Sequence, residues 1–403
     1  MIRIRKMAAL LMWLLIVLAG FQAGAEATRK ETTKGGKVVR VEWLDEGGAL
    51  TEGPEGYAYA TRSYSGTTVT EKYYDAAGNP KEAIGGYFGQ MLTYGNKHRL
   101  EEIVYLNAKG QKAECTAGYA RVTMLYNSSG KIRLTNYFDQ ANDLVMVPDL
   151  GYAALRNEYR GTALTRTTYL DEKKNPVDTP LGYAVLIQSV NKSNKVTGIR
   201  FEHADGSAAV CLEGWASCKR ELDKKNREVS VKYYDLSGTL ISMGGDYAYE
   251  EKSWSSDQVC VAVRYDAQGQ RIPFWEGCVQ VKREYNKDGQ LIRETCLDAA
   301  GQPCEDAEGV TGRAYAYDTE GRLFQVLYVN DQGEGMLNVH GIAGYTETLD
   351  ADGFLLERDY LGVDGKKANG NEGYCEIRYL YDEARQVIRK EYYDLNGTLI
   401  QAE

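Results

Sequence analysis

Histidine is scarce in this 403-residue sequence, with three copies, and no CxxC pair or Cys/His cluster occurs. A structural zinc site therefore lacks the ligand spacing it needs. Phenylalanine appears only 7 times, so the core is not filled in the usual way by Leu, Ile, Val and Phe. After Phe21 no apolar run approaches the roughly 20 residues that span a bilayer, and no membrane span is expected in the mature chain. Basic residues are also short, 48 Lys and Arg against 57 Asp and Glu. An acidic surface of this kind repels nucleic acid and anionic lipid, so neither is a natural partner.

At the N-terminus, Arg3, Arg5 and Lys6 precede an uncharged run from Met7 to Phe21, and Ala23-Gly24-Ala25 supplies small residues. That is the pattern of a secretory signal peptide over residues 1–25, with cleavage expected before Glu26. The run is short for a membrane anchor. Losing the three basic residues takes the formal charge from −9 to −12. The mature protein is accordingly expected to be secreted or associated with the cell envelope.

What the chain has in quantity is Gly, 43 copies, and Tyr, 31 copies. That pairing suggests many short strands and tight turns, and a fixed period confirms the organisation. Tyr392-Tyr393-Asp394-Leu395-Asn396-Gly397 recurs backward through the chain as Tyr233-Tyr234-Asp235 with Gly238 and Tyr73-Tyr74-Asp75 with Gly78. With weaker copies included, the turn opens at 45, 75, 107, 139, 171, 203, 235, 266, 298, 330, 362 and 394, a spacing of 30 to 32 residues. A second anchor runs in phase, as in Gly56-Tyr57-Ala58, Gly118-Tyr119-Ala120, Gly182-Tyr183-Ala184 and Gly214-Trp215-Ala216.

Each copy reads as strand, turn, strand, turn and short connector. In Tyr285-Asn286-Lys287-Asp288-Gly289 the Asn opens the turn and bonds the backbone ahead of it, while the Gly takes positive φ. Flanking segments such as Glu376-Ile377-Arg378-Tyr379-Leu380-Tyr381 alternate with the period of a strand that has one buried face. The fold class expected is all-β, about 12 tandem hairpins of roughly 32 residues stacked as an extended twisted or spiral sheet, or closed into a shell. Residues 26–37 are polar and out of register and read as a flexible leader. Residues 38–403 read as a single repeat array.

The register also judges the residues that suggest chemistry. His98, His203 and His340 all replace turn or loop residues in distant copies, which argues against a catalytic triad. Asp75, Asp235, Asp298 and Asp394 recur, but each turn offers one carboxylate where calcium needs several converging oxygens. Adjacent acids such as Asp45-Glu46 and Asp382-Glu383 do not face each other across a cleft as glycosidase carboxylates must. Of the eight cysteines, Cys278 and Cys296 replace anchor aromatics, Cys260 sits in a strand, and Cys211 aligns with Cys115 in the connector. Disulfides between Cys211 and Cys218 or between Cys296 and Cys304 are open alternatives, as is burial of free thiols. The recurring row Tyr73, Tyr105, Tyr137, Tyr169, Phe201 and Tyr233, with Tyr328, Tyr360 and Tyr392, reads as core packing between hairpins. An exposed aromatic face for sugar rings or peptides is the alternative.

The repeat resembles the tyrosine–aspartate (YD) repeats of Rhs-type bacterial secreted proteins. Tyr317-Asp318-Thr319-Glu320-Gly321-Arg322-Leu323 is its closest match to the Y-D-x-x-G-R-L core, with Tyr265-Asp266-Ala267-Gln268-Gly269 and Tyr381-Asp382-Glu383 as partial ones. The resemblance implies an exported, β-rich architecture. It does not imply toxin delivery, because the period is longer and neither a toxin domain nor the family's self-cleaving core is found. The Gly-aromatic starts and Tyr-Tyr-Asp-x-x-Gly turns also resemble cell-wall-binding repeats, although those lean on Trp and only Trp43, Trp215, Trp254 and Trp275 lie beyond the signal segment. The expectation is a non-catalytic binding or scaffolding protein whose partner is a protein or a cell-wall glycan. No catalytic, cofactor or metal residues are assigned, and no cofactor is expected. A wall-glycan module is the first alternative, and a hydrolase with a site made of turn residues is the second.

Overall fold

A computed structural model describes residues 28–243, 246–318, 321–349, 354–381 and 387–403. The expected signal segment, residues 1–25, lies outside them. The described residues form a 27-stranded antiparallel sheet with a single three-residue helical turn at Asn96–His98. They divide into two compact units. Unit 1 holds 28–187 and 202–207; unit 2 holds 188–201, 208–349 and the described residues beyond. The same repeat builds both.

One repeat of unit 1 explains the rest. Strand β1 (Thr28–Lys34) pairs with β2 (Lys37–Leu44), and β3 (Tyr59–Ser65), β4 (Thr68–Tyr74) and β5 (Gly89–Tyr94) follow, each antiparallel to the one before. In β4 the alternation buries Glu71 and Tyr73 and leaves Lys72 exposed. A tight turn then reverses the chain. The Asp75 carboxylate accepts the Asn79 N–H at 2.8 Å, the Gly78 N–H donates to the Asp75 carbonyl at 3.1 Å, and Gly78 takes φ +90°. That φ is open to Gly without penalty. The connector folds back so that Lys81 N–H reaches the Tyr73 carbonyl at 3.0 Å, and a second turn, closed by Gly86, leads into β5.

The connectors of successive repeats touch through single backbone bonds. Ile84 N–H donates to Glu55 at 3.1 Å and Thr116 N–H to Gly85 at 2.9 Å in unit 1. Ala307 to Glu276, Val339 to Glu308 and Asn371 to His340 repeat the bond at 2.8–2.9 Å in unit 2. Pro148 and Pro180 occupy the donor position in two copies and have no N–H to give. Within each unit, strands make their substantial contacts with chain neighbours, so stability is a sum over adjacent repeats.

Two expectations need correction. The polar leader placed at 26–37 contains β1, paired along its length with β2. All seven of its residues are exposed, so an edge strand carries no burial alternation to read. The disulfide joins Cys278 to Cys296, neither of the pairs left open above. Those two cysteines hold the positions at which successive anchor aromatics meet elsewhere, a relation between strands that spacing along the chain does not reveal. Cys211 and Cys218 are buried thiols.

Candidate ligand-binding surface and the buried ladders

The tyrosine row is interior. In unit 1, Tyr57 and Tyr73 stack at 4.4 Å with rings 6° from parallel. Tyr87, Tyr105, Tyr119, Tyr137, Tyr152, Tyr169 and Tyr183 continue the series with neighbouring centroids 4.6–6.0 Å apart. The two sequence anchors thus interleave into one ladder. In unit 2, Phe201, Trp215, Tyr233 and Tyr247 pack in the same manner, as do Tyr360, Tyr374 and Tyr392. Most of these rings are buried. Burial pushes the phenols of Tyr73 and Tyr105 well above the ordinary value, and nearby Glu71 and Tyr119 respectively add to it. Such a ladder fixes repeat to repeat through aromatic contacts and offers no open face to a sugar.

Beside the ladder runs a row of buried charges that sequence reasoning passed over. In unit 1, Glu71 accepts from Arg62 Nε at 2.6 Å, Gln90 Nε2 at 2.8 Å and the Tyr73 hydroxyl at 3.2 Å. In unit 2, Arg283 donates to Glu250 at 2.7 Å and Glu294 at 2.8 Å, Arg264 donates to Glu250 at 3.2 Å, and the Tyr315 hydroxyl donates to Glu294 at 2.5 Å. Burial alone raises the Glu250 carboxyl, but Arg283, Lys252 and Arg264 together outweigh it and hold the carboxyl down at about 2. Burial likewise lowers the Arg283 guanidinium, yet Glu250 and Glu294 drive it above its usual value. A signal existed: Arg62 and Glu71, Glu250 and Arg264, Arg283 and Glu294, and Glu347 and Arg358 are directly opposite one another across hairpins.

The remaining chemistry-bearing residues sit in turns and loops. His203 Nδ1 lies 3.1 Å from Asp178 and His340 Nδ1 lies 3.2 Å from Glu372, both pairs exposed. His98 occupies a turn at φ +55°. The turn acids do backbone work: the Asp235 carboxylate accepts the N–H of Ser237 and of Thr239, each at 2.9 Å. Hydrogen bonds from the Ser237 side chain and the Thr239 backbone hold its carboxyl below the usual range. Glu357, Asp359 and Glu376 converge in unit 2. Lys367 already pairs with Asp359 and Glu376, and Arg378 with Glu376, so protein cations hold the place that a metal ion would take.

An open depression of about 490 Å³ lies in unit 2 at the hairpin tips, lined by Lys252, Trp254, Asp257, Gln258, Tyr285, Asn286, Lys287 and Gly289. Trp254 and Tyr285 stand 5.7 Å apart, inclined by 33°. The indole N–H donates to the Glu228 carbonyl at 2.8 Å, which fixes the ring. Arg227 lies 5.2 Å from the Trp254 ring and is itself held by Asp223 and Asp257. Lys225 pairs with Asp257 at 2.6 Å on the rim. Fixed aromatic walls with amide, ammonium and carboxylate groups around them can hold a small polar ring by stacking and hydrogen bonding. Trp43 and Trp215 are buried, and Trp275 lies under the Arg313 guanidinium at 4.0 Å; the tryptophan lining this depression is Trp254.

No family model matches the chain, and no curated protein matches it. Among solved structures, the TcdB2–TccC3 crystal structure aligns with 91% of the chain at 10% identity and a TM-score of 0.24, over 22% of its own length. The Photorhabdus luminescens Tc holotoxin pore aligns with 89% at 14% identity and a TM-score of 0.24, over 20% of its length. An alternansucrase in complex with isomaltononaose aligns with 80% at 13% identity and a TM-score of 0.12, over 19% of its length. The chain spans about a fifth of the length of these proteins.

Proposed function

We propose that this chain is an exported, non-catalytic repeat protein that binds or scaffolds at the cell surface or outside the cell. The observation that carries this reading is where the repeat spends its chemistry. Its tyrosines pack against each other between repeats, its turn acids cap backbone N–H groups, and its opposite charges neutralise one another across hairpins. Within each unit the product is a surface that repeats about every 32 residues, suited to presenting or gripping an extended partner. Export rests on the basic start, the Met7–Phe21 run and Ala23-Gly24-Ala25.

A cell-wall glycan is the second reading, favoured by the Trp254–Tyr285 depression and its polar rim. The test is retention of the purified chain on isolated bacterial wall material, before and after its glycan polymers are stripped. Retention lost with the glycans supports the glycan reading. Absence of retention in both cases supports a protein partner, to be sought by crosslinking on intact cells. A hydrolytic activity of the purified chain that one point substitution abolishes overturns the non-catalytic reading.

A further inference from the structure

Three of the eight cysteines meet at one point of unit 2. Cys278 and Cys296 form the disulfide. Both are fully buried. The Cys304 sulfur lies 3.4 Å from the Cys296 sulfur. The other five thiols, at Cys115, Cys211, Cys218, Cys260 and Cys375, are buried, whereas Cys304 is partly exposed.

The repeat itself imposes this arrangement. Cys304 occupies the connector position whose N–H bonds the carbonyl of the ladder residue: Cys304 to Cys296 at 3.1 Å, as Met336 to Tyr328 at 3.0 Å and Val177 to Tyr169 at 3.0 Å. The backbone therefore holds residue 304 against residue 296 whichever sulfur 296 is bonded to. On the other side, Cys278 stands where the preceding anchor aromatic stands in other copies. Cys296 thus has two partners within reach, both set by the same backbone frame.

We propose that Cys278, Cys296 and Cys304 form a thiol–disulfide exchange centre. The Cys304 thiolate attacks the Cys296 sulfur, the Cys296–Cys304 bond forms as the Cys278–Cys296 bond breaks, and Cys278 leaves as a thiolate that takes up a proton. No external oxidant or reductant is consumed. Both end states have a place for the thiol proton: the Cys304 thiol has the Gly277 carbonyl at 3.8 Å, and a Cys278 thiol has the Gln280 carbonyl at 3.2 Å. The two states differ in what they present. With Cys278 bonded, the partly exposed Cys304 thiolate can attack a small disulfide compound or a partner's disulfide, forming a mixed disulfide and releasing the other sulfur as a thiol. With Cys304 bonded, the free thiol is Cys278, sealed from solvent.

Burial, with Asp298 and Asp306 nearby, raises the Cys304 thiol above its ordinary value. Asp306 is in turn paired with Arg313 at 2.6 Å. Because the thiolate is the nucleophile, exchange from pH 7 to 9 should quicken roughly tenfold per pH unit.

The experiment incubates the oxidised full chain at pH 7, 8 and 9, quenches in acid and maps disulfide-linked peptides by mass spectrometry. Both the 278–296 and 296–304 linkages are expected, approaching a fixed ratio faster at higher pH. Ellman's reagent on the folded protein should release a fast fraction of one equivalent from Cys304, equal to the share of 278–296 linkage, with the rest following at the rate of exchange and both phases absent in Cys304→Ser. Cys278→Ser should form the 296–304 bond. Recovery of only the 278–296 linkage at every pH, or of all three residues as thiols, overturns the proposal, and this wild-type mapping decides the matter even where a variant fails to fold.

Discussion

Arg283 and Glu250, one repeat apart in unit 2, meet through a 2.7 Å ion pair in which their side chains are only 1% and 4% exposed. Their attraction makes Arg283 a tie between successive hairpins, since the same guanidinium also holds Glu294. Removing it leaves two buried carboxylates without their main partner.

Arg283→Met is therefore expected to destabilise unit 2 by roughly 3–5 kcal/mol, the usual cost of stranding a buried charge. The triple replacement Arg283→Met, Glu250→Gln, Glu294→Gln should recover part of that loss. Urea denaturation followed by circular dichroism measures both. Equal stability of Arg283→Met and the parent chain would show that the pair contributes nothing.

The same carboxyl predicts an acid response. The folded-state pKa of Glu250, about 2, lies below its unfolded value. Its stabilisation is thus fully present above the ordinary carboxylate range and is lost as the pH falls toward 2. The exposed turn acids Asp75, Asp171, Asp235 and Asp394 are lowered in the same direction, by hydrogen bonds from residues in their own turns. Unfolding temperature should decline below about pH 4, and a flat profile down to pH 2 would contradict this.

Asp235→Ala should lower the unfolding temperature, because two backbone N–H groups lose their acceptor. Asp235→Asn should come close to the parent, as Asn107 and Asn330 already do this work elsewhere in the chain. Differential scanning calorimetry of the two variants separates the acceptor from the charge.

At high pH the ladder becomes the weak point. Burial raises Tyr328 and Tyr392 to about 12, with Tyr345 adding at the first and Glu403 at the second. A phenol with a raised folded pKa stabilises fully below about pH 10 and loses that contribution as the pH climbs toward 12. Absorbance at the phenolate band should show a late, steep step that coincides with loss of β-structure. Tyr137→Ala, which opens the middle of the ladder, should cost roughly 3–5 kcal/mol at neutral pH.

Trp254→Ala should abolish or sharply reduce retention on wall glycan while leaving the unfolding curve of the aromatic ladder in place, since Trp254 lies at the hairpin tips. Undiminished retention would remove the depression from the glycan reading.

How much of this was legible in the sequence depended on whether a position carries a local signature. The turns were legible because Asp75 and Gly78 do chemistry that few residues can do at that spacing. The interleaved ladder was half legible: the period of Tyr73, Tyr105 and Tyr137 was plain, but its meshing with Tyr57, Tyr87 and Tyr119 requires knowing the hairpin register. The Arg283–Glu294 pair lay within reach of the same register and was missed, since charged residues in a strand are ordinarily assigned to its wet face. Strand β1 gave no signal because an exposed edge imposes none. Trp254 stood out only as a scarce residue type, and its depression depends on Tyr285 from the next hairpin.

Because each repeat leans chiefly on the repeats before and after it, chain length is loosely constrained by the fold. Duplicating or deleting one whole period, for example from the turn at Asp298 to the turn at Asn330, would join surfaces that already match, and an insertion of any other length would not. Recombination between copies is thus a tolerated route by which such a gene can lengthen or shorten, and length variants in whole steps of about 32 residues are the heritable trace it would leave.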